Sequence, residues 1–510
     1  MSSGPSGAKT APIWLWAALA LGVFAIGAVM AFQRRTDVDV AWLLTLGEKM
    51  LAGQQPYIDV FEANPPMSIL LYLPAVVAGR GPGVTPETMV IVLVLAAILA
   101  SLALCGRILA PLTDRLTRLK LAAAGFFVLT VLPTGVFSQR EHIAVIAMLP
   151  FLALAAARSE RVKLALWPAI LAGLGCGLGM AIKPHFALAA GAAMAVAALR
   201  RKSPRALIEP EVWAASATVV AYVVVVFTIF PAFINFLPVI RDAYLPVRQP
   251  LAALLTWPPT AAWLILGGVS GFAAWARRGV AWEAGGLLAA SAGGFASYLI
   301  QGKGWPYQSY PMLALAVLAL AAAAILGAPR PLPGLLSRPA ARVAAAAVGL
   351  ILTIGAVGAS MEWFTLKGDF RALNAPVHAL APHPKILSIT ADIAVGEPLT
   401  RELHGQWVGS VCSQWIAAGA MTLERRGGLS SDQRLHLNAL MAIDRRLLVH
   451  DILTGRPDVI LISTGRDWLG WAKADPALAA ALAGYHPVET VQGVAIWTRT
   501  EAGISSRHGA

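Results

Sequence analysis

Long apolar runs, each ended by a short polar turn, fill the first 360 or so positions of the chain. Their lengths approach what a helix needs to cross a bilayer. The pattern predicts about eleven membrane-spanning helices, over residues 12–32, 88–110, 119–135, 141–157, 164–182, 185–199, 211–232, 258–276, 283–300, 311–327 and 341–360. Residues 164–199 predict a helical hairpin that turns at Lys183-Pro184-His185. Past residue 360 the apolar runs shorten and polar residues bound them. Lys385–Thr390, Asp458–Ser463 and Gly493–Thr498 have the composition of strands, while 411–426, 431–454 and 475–484 have that of helices. Strands alternating with helices predict a small α/β domain. The expected fold class is therefore a polytopic α-helical membrane protein, residues 1–360, with a C-terminal α/β domain over 361–510.

The stretch 33–87 is the most unusual in polarity. Asp37 and Asp39 stand at the mouth of the first membrane helix, where ionised groups are costly and usually functional. After them Leu43, Leu44, Leu46, Met50 and Leu51 recur at helical spacing, which predicts an amphipathic helix lying along the membrane surface. Gly53 and Pro56 end it, and Glu62, Asn64, Pro65 and Pro66 make a second polar turn.

Composition sharpens the class. Of 510 residues 57% are hydrophobic and 13% charged, about half the charged share of a soluble domain. The net charge of +13 needs no nucleic-acid partner, because the basic residues cluster in short turns between apolar runs. With the N-terminus inside, the cytoplasmic set is Lys9, Arg107, Arg115, Arg118, Lys120, Arg158, Arg161, Lys163, Arg200, Arg201, Lys202, Arg205, Arg277, Arg278, Arg330, Arg338 and Arg342. That is roughly twice the number on the opposite side before the tail, so the inside-positive bias supports this orientation. An odd number of spans then places the C-terminal domain outside. Residues 12–32 are followed by no small-residue cleavage site, so a retained helix is expected rather than a secretory signal. Cys105, Cys176 and Cys412 are far apart, and two fall in apolar runs, which argues against a disulfide framework or a metal cluster.

Four further polar clusters interrupt the apolar sequence: Gln139-Arg140-Glu141-His142, Lys183-Pro184-His185, Arg241-Asp242 through Arg248, and Gln301 through Gln308 with Lys303, Trp305 and Tyr307. Each has an ordinary explanation alone: an interfacial ion pair, a snorkelling lysine, an aromatic-belt anchor. Glycines 173, 175, 177 and 179 are expected to serve close helix packing. Under the orientation above, all four clusters join Asp37, Asp39 and Glu62 on the outer side, as one extracytoplasmic cavity. Carboxylates ringed by Arg, Lys and His suit transfer from an anionic lipid donor. The cations neutralise a departing phosphate, and a carboxylate takes the proton of an attacking hydroxyl.

These segments resemble the GT-C superfamily of polyprenyl-phosphate-sugar-dependent glycosyltransferases. Within it they are most similar to the family that includes protein O-mannosyltransferases and the lipid A aminoarabinose transferase. The resemblance rests on the acidic pair after the first helix, on Glu48-Lys-Met-Leu-Ala-Gly53, on Phe61-Glu62 before Pro65-Pro66, and on Arg-Glu-His at 140–142, Lys-Pro-His at 183–185 and Lys-Gly-Trp-Pro-Tyr at 303–307. It covers roughly residues 30–310. It implies an Asp base eleven residues before Met50, which is Asp39, with Glu62 as a second acidic position. Where the family commonly has Asp-Glu, this chain has Asp39-Val40 preceded by Asp37, so both aspartates stay candidates.

The expected activity is inverting transfer of a sugar from a polyprenyl-phosphate donor to a hydroxyl on a cell-envelope acceptor, at a bacterial inner membrane. Asp39 is the base, with Asp37 as alternative base or orienting group. Arg140, His142, Lys183, His185, Lys303 and Tyr307 hold the donor phosphate, while Glu62, Glu141 and Arg241 orient groups or meet the acceptor. No cofactor is required, although a divalent metal at Asp37, Asp39 and Glu62 is compatible with the set. The rival expectation is a transporter, flippase or ligase for polyprenyl-linked glycans, which would also place charges within a membrane cavity. No internal repeat of the transporter kind is visible.

Overall fold

The computed structural model describes residues 12–365 and 368–500, apart from Pro82, Gly279 and Val280. Lys9, counted above with the inner charges, and the C-terminal residues 501–510 lie outside the described residues. The chain divides into two compact units. The first comprises residues 12–34, 90–223 and 249–365, the second 35–89, 224–248 and 368–500.

The first unit is helical. Each of the eleven expected apolar stretches coincides with helix, and among the described residues six helices are long and apolar enough to cross a membrane. They are Ile13–Gln33, Pro86–Ile108, Arg140–Ser159, Pro210–Ile229, Pro306–Leu326 and Pro339–Thr365. Leu21, Ile26, Trp213, Val220 and Ile351 are exposed on the peripheral helices. Such exposure is tolerable only where the surrounding solvent is itself apolar. Arg140–Ser159 and Pro306–Leu326 are instead mostly buried within the protein. Small residues let the backbones close on each other. A Cβ at Gly175 or Gly179 would collide with Ala147 or Met148 of one neighbouring helix. At Gly173 or Gly177 it would collide with Glu211 or Ala215 of another. At one end of the bundle Arg158 holds fully buried Glu211 through two bonds of 3.0 Å, and Arg201 pairs with Glu209 at 2.7 Å.

The second unit carries a five-stranded sheet in the order Gln406–Trp407, Lys385–Ile389, Val459–Ser463, Val494–Arg499, Tyr485–Val491. The first three strands are parallel and the last two pair antiparallel. Ile386, Leu387 and Ile389 face Val459, Ile460 and Ile462 in register, and all six are buried. Such two-sided burial explains why these strands read as continuous apolar runs. Helix Ser431–Gly455 packs on strand Lys385–Ile389, helix Trp415–Arg425 packs on that helix, and a Ser430–Gln433 capping box starts the longer one.

Helix Val38–Leu51 lies in the same unit and corrects one expectation. Its spacing suggested a surface-lying amphipathic helix, yet Val40 through Gly47 are all buried by protein. Leu73 and Val76 crowd Gly47, Glu62 bonds Trp42, and Glu397 bonds Thr45, so no face is left for a bilayer.

Candidate active site

The polar side chains form two groups, one in each unit. In the first unit they surround the N-termini of the two central helices, Arg140–Ser159 and Pro306–Leu326. The Arg140 guanidinium lies 6.0 Å from the centre of the Tyr307 ring, and Lys183 Nζ lies 5.3 Å from the same ring. Both cations thus lie over the same aromatic ring. Lys183 follows helix Leu166–Ile182 in extended conformation, before the turn at Pro184–Phe186. Its ammonium donates to Glu141 and, at 2.8 Å, to Gln301 Oε1. Arg140 and Glu141 are buried, and Lys303 is nearly so. Gly302 and Gly304, at φ +66° and +71°, let the chain turn just before Tyr307, a backbone region that side chains resist.

Three polar atoms in this group are buried without a hydrogen-bond partner among the described residues: Glu141 Oε2, Gln301 Nε2 and His185 Nε2. Buried polar atoms are rarely left so; beside two cations and two helix N-termini, Gln301 Nε2 can donate to an anionic group of a ligand, while Glu141 Oε2 can accept from a ligand hydroxyl. Arg34, absent from the expected set, lies near His142: its Nη1 donates to the Thr134 carbonyl at 2.8 Å, and its Nη2 is buried with no hydrogen-bond partner among the described residues.

His142 is placed differently from the expectation. Its Nδ1 accepts from the Ser138 N–H at 3.0 Å, and its Nε2 faces the Leu129 carbonyl at 2.8 Å. The ring is fully buried between Phe137 and Tyr310, 5.0 and 5.3 Å away. With both nitrogens engaged by the main chain, the ring locks the start of its helix and has no donor left for a phosphate. Arg241 is also outside any enclosed group. It is exposed and pairs with neighbouring Asp242 at 2.6 Å, which His436 joins at 3.1 Å. A surface pair of this kind has little energetic weight.

The second unit gathers the acidic residues. Asp37 is the N-cap of helix Val38–Leu51, its carboxylate accepting from the amides of Asp39 at 3.0 Å and Val40 at 3.4 Å. Asp39, in the first turn, is half-buried. Glu62 is buried and accepts from Trp42 Nε1 at 2.6 Å, from the Asn64 amide at 2.9 Å, and from the Asn64 side chain. Sequence reasoning missed Cys412, which arrives from the C-terminal part of the chain. Burial and the negative charges of Glu62 and Asp39 push its thiol well above the usual range. Cys412 is thus within electrostatic reach of both carboxylates. Among the described residues no group of three His, Cys, Asp or Glu is arranged to hold a metal ion.

A second C-terminal contact fixes the far end of the same helix. Arg401 donates to both oxygens of Glu48 at 2.8 Å, to Glu87, and to Thr45 at 3.1 Å. Thr45 in turn donates to Glu397 at 2.9 Å. Glu397 is fully buried, and its Oε2 has no hydrogen-bond partner among the described residues. Burial, with Glu48 and Glu87 nearby, pushes its carboxyl from an ordinary 4.5 to about 7. Below pH 4.5 it is protonated whether the chain is folded or not. As pH rises toward 7 the unfolded form ionises first, so stability falls and the loss is complete above 7. Glu397→Gln should therefore change little near pH 4 and raise the unfolding temperature at pH 8, an effect of about 3 kcal/mol. Thermal unfolding at the two pH values checks it. Asp444, pushed up to about 7 by burial, adds a slope of the same sign that the variant leaves intact.

Compared with known proteins, the chain matches no protein-family model and no curated protein sequence. Its fold does match solved structures. One is ArnT from Cupriavidus metallidurans bound to undecaprenyl phosphate, at a TM-score of 0.55 and 14% identity over 97% of this chain and 99% of the other. The same protein in the apo state gives 0.54 and 14%, over 96% and 98%. A looser likeness, at 0.47 and 16%, is to the arabinofuranosyltransferase AftD from Mycobacteria, over 96% of this chain and 40% of that one. The chain shares its fold with ArnT along nearly the whole of both chains, and its six long apolar helices fit a multi-pass membrane protein.

Proposed function

We propose that this chain is an integral membrane glycosyltransferase that moves a sugar from a polyprenyl-phosphate donor to a hydroxyl of an extracytoplasmic acceptor. The observation that carries the proposal is the buried group of Arg140, Lys183, Glu141 and Tyr307 at two helix N-termini, with partnerless polar atoms around it. An anion with several acceptor oxygens accepts from Gln301 Nε2 and is attracted by Arg140 and Lys183, and a lipid-borne phosphate reaches membrane-depth cations from the bilayer. The undecaprenyl phosphate held by ArnT, whose fold this chain shares, supports the same ligand chemistry here.

In the proposed reaction the acceptor oxygen attacks the anomeric carbon, and the bond from that carbon to the phosphate oxygen breaks. The electron pair leaves on polyprenyl phosphate, and the acceptor proton passes to Asp39. A single displacement inverts the anomeric centre. Arg140, Lys183, His185 and Lys303 stabilise the phosphate, Tyr307 supports the two nearest cations, and Glu62 orients the acceptor. A divalent metal is not required by this chemistry. We place the reaction on the periplasmic side of a bacterial inner membrane, with the N-terminus cytoplasmic and the C-terminal α/β region periplasmic.

The test is sugar transfer in proteoliposomes from a radiolabelled polyprenyl-phosphate sugar to extracted cell-envelope acceptors. Labelled product with inverted anomeric configuration is expected. Movement of the intact lipid-linked sugar across the bilayer without transfer would replace the proposal with a transporter.

A further inference from the structure

The C-terminal part of the chain reaches the acidic group through one short segment, Ser410–Gln414. Phe61 N–H, immediately before Glu62, donates to the Ser410 carbonyl at 2.8 Å. Ser410 is itself gripped by Asp451 of helix Ser431–Gly455, its amide donating at 2.8 Å and its hydroxyl at 2.6 Å. Ser410 and Asp451 are buried. At the other end of the segment Gln414 exchanges two bonds with Thr390, its amide donating to the carbonyl at 2.8 Å and its Oε1 accepting from the amide at 2.6 Å. Trp407 Nε1 donates to the Val411 carbonyl at 3.1 Å between them. The segment is thus fixed at both ends, its Ser410 carbonyl meets the residue before Glu62, and Cys412 within it is in electrostatic reach of Glu62 and Asp39.

Continuity matters here because Glu62 holds Trp42, on the helix whose first turn carries Asp39. An unbroken path runs from Asp451 through Ser410 to the main chain at Phe61, then to Glu62 and Trp42. Two buried hydrogen bonds to a carboxylate are among the stronger polar contacts a fold makes. We infer that Ser410 and Asp451 are positioning residues of the acidic group: they fix segment Ser410–Gln414 as a wall beside Asp39 and Glu62, so that the C-terminal α/β region is an integral part of that group and not a detachable cap. This inference rests on the proposed transferase activity only for its kinetic arm.

The test uses the full-length protein in nanodiscs, comparing wild type with Asp451→Asn, Ser410→Ala and Asp444→Asn. Asp444 is the control. It is another buried carboxylate of the same helix, but it caps a different segment by accepting from the Ala417 amide at 2.7 Å. The first readout is alkylation of Cys412 by N-ethylmaleimide, mapped by mass spectrometry. Asp451→Asn should speed it about tenfold, because local opening further exposes a thiol that the fixed segment keeps half-buried. Ser410→Ala, which loses only the hydroxyl bond, should give a smaller rise, and Asp444→Asn should leave the rate at the wild-type value. The second readout is transfer kinetics. Asp451→Asn should lower kcat by roughly tenfold to a hundredfold with donor KM unchanged, the mark of misplaced groups. Unchanged alkylation in Asp451→Asn overturns the inference, as does an equal loss of kcat in Asp444→Asn. A wild type that alkylates as expected but transfers nothing would sink the transferase proposal and leave the positioning of the segment standing.

Discussion

Asp39→Asn should lower the rate of sugar transfer by roughly a thousandfold, within the range that a general base contributes, while binding of the polyprenyl-phosphate donor stays as in wild type. Asparagine matches the shape and hydrogen-bonding reach of the carboxylate but cannot take a proton from the attacking hydroxyl. Asp37, the other candidate in the sequence, has a different task. Its Oδ1 accepts from the amides of Asp39 and Val40 as the cap of helix Val38–Leu51. Asparagine is as good a cap as aspartate, so Asp37→Asn should keep transfer within a few-fold of wild type, about the scatter expected of a silent site. Asp37→Ala should instead lower stability by about 1 kcal/mol. Initial rates in proteoliposomes and donor binding to the same preparations separate these outcomes. Full transfer by Asp39→Asn with loss in Asp37→Asn would exchange the two roles.

The fold was legible in the sequence because membrane helices and buried strands leave strong local signals. The apolar runs, the hairpin turn at Lys183 and the strands around Ile386, Ile460 and Ile496 all depend on residues close in sequence. What surrounds an element is not written locally. Leu43, Leu44 and Leu46 show helical spacing, but only Glu397, Arg401 and the Leu73–Val76 turn reveal that their helix is enclosed by protein.

The candidate site divides in the same way. Arg140, Glu141, Lys183 and Tyr307 stood out because charges and aromatics break apolar runs, and they do meet. His142 stood out for the same reason, yet it bonds main-chain atoms at Ser138 and Leu129, which carry no side-chain signature. Cys412, Ser410 and Asp451 come from the far end of the chain and lack any motif, so only the folded arrangement brings them to Glu62. Arg34 was visible only as one charge at a helix end, and its place near His142 shows only in the fold.

The second large effect concerns Lys183. Glu141 is completely buried, and Lys183 is the cation bonded to it. Removing one member of such a pair leaves the other charge stranded away from water. Lys183→Met should therefore destabilise the fold by about 3–5 kcal/mol, read as a lower unfolding temperature in nanodiscs, and should abolish measurable donor binding. Stability alone cannot tell whether Lys183 serves the fold or the ligand. The double variant Lys183→Met with Glu141→Gln separates the two. Without a carboxylate to strand, most of the lost stability should return, as it does when buried ion pairs are replaced whole. Donor binding should not return, because the ammonium proposed to meet the phosphate is still missing. Affinity in the double variant should stay at least about tenfold weaker than wild type, in line with loss of one charge-assisted bond. If instead the double variant binds the donor as wild type does, Lys183 exists to neutralise Glu141, and the phosphate belongs to Arg140 and the helix N-termini around it.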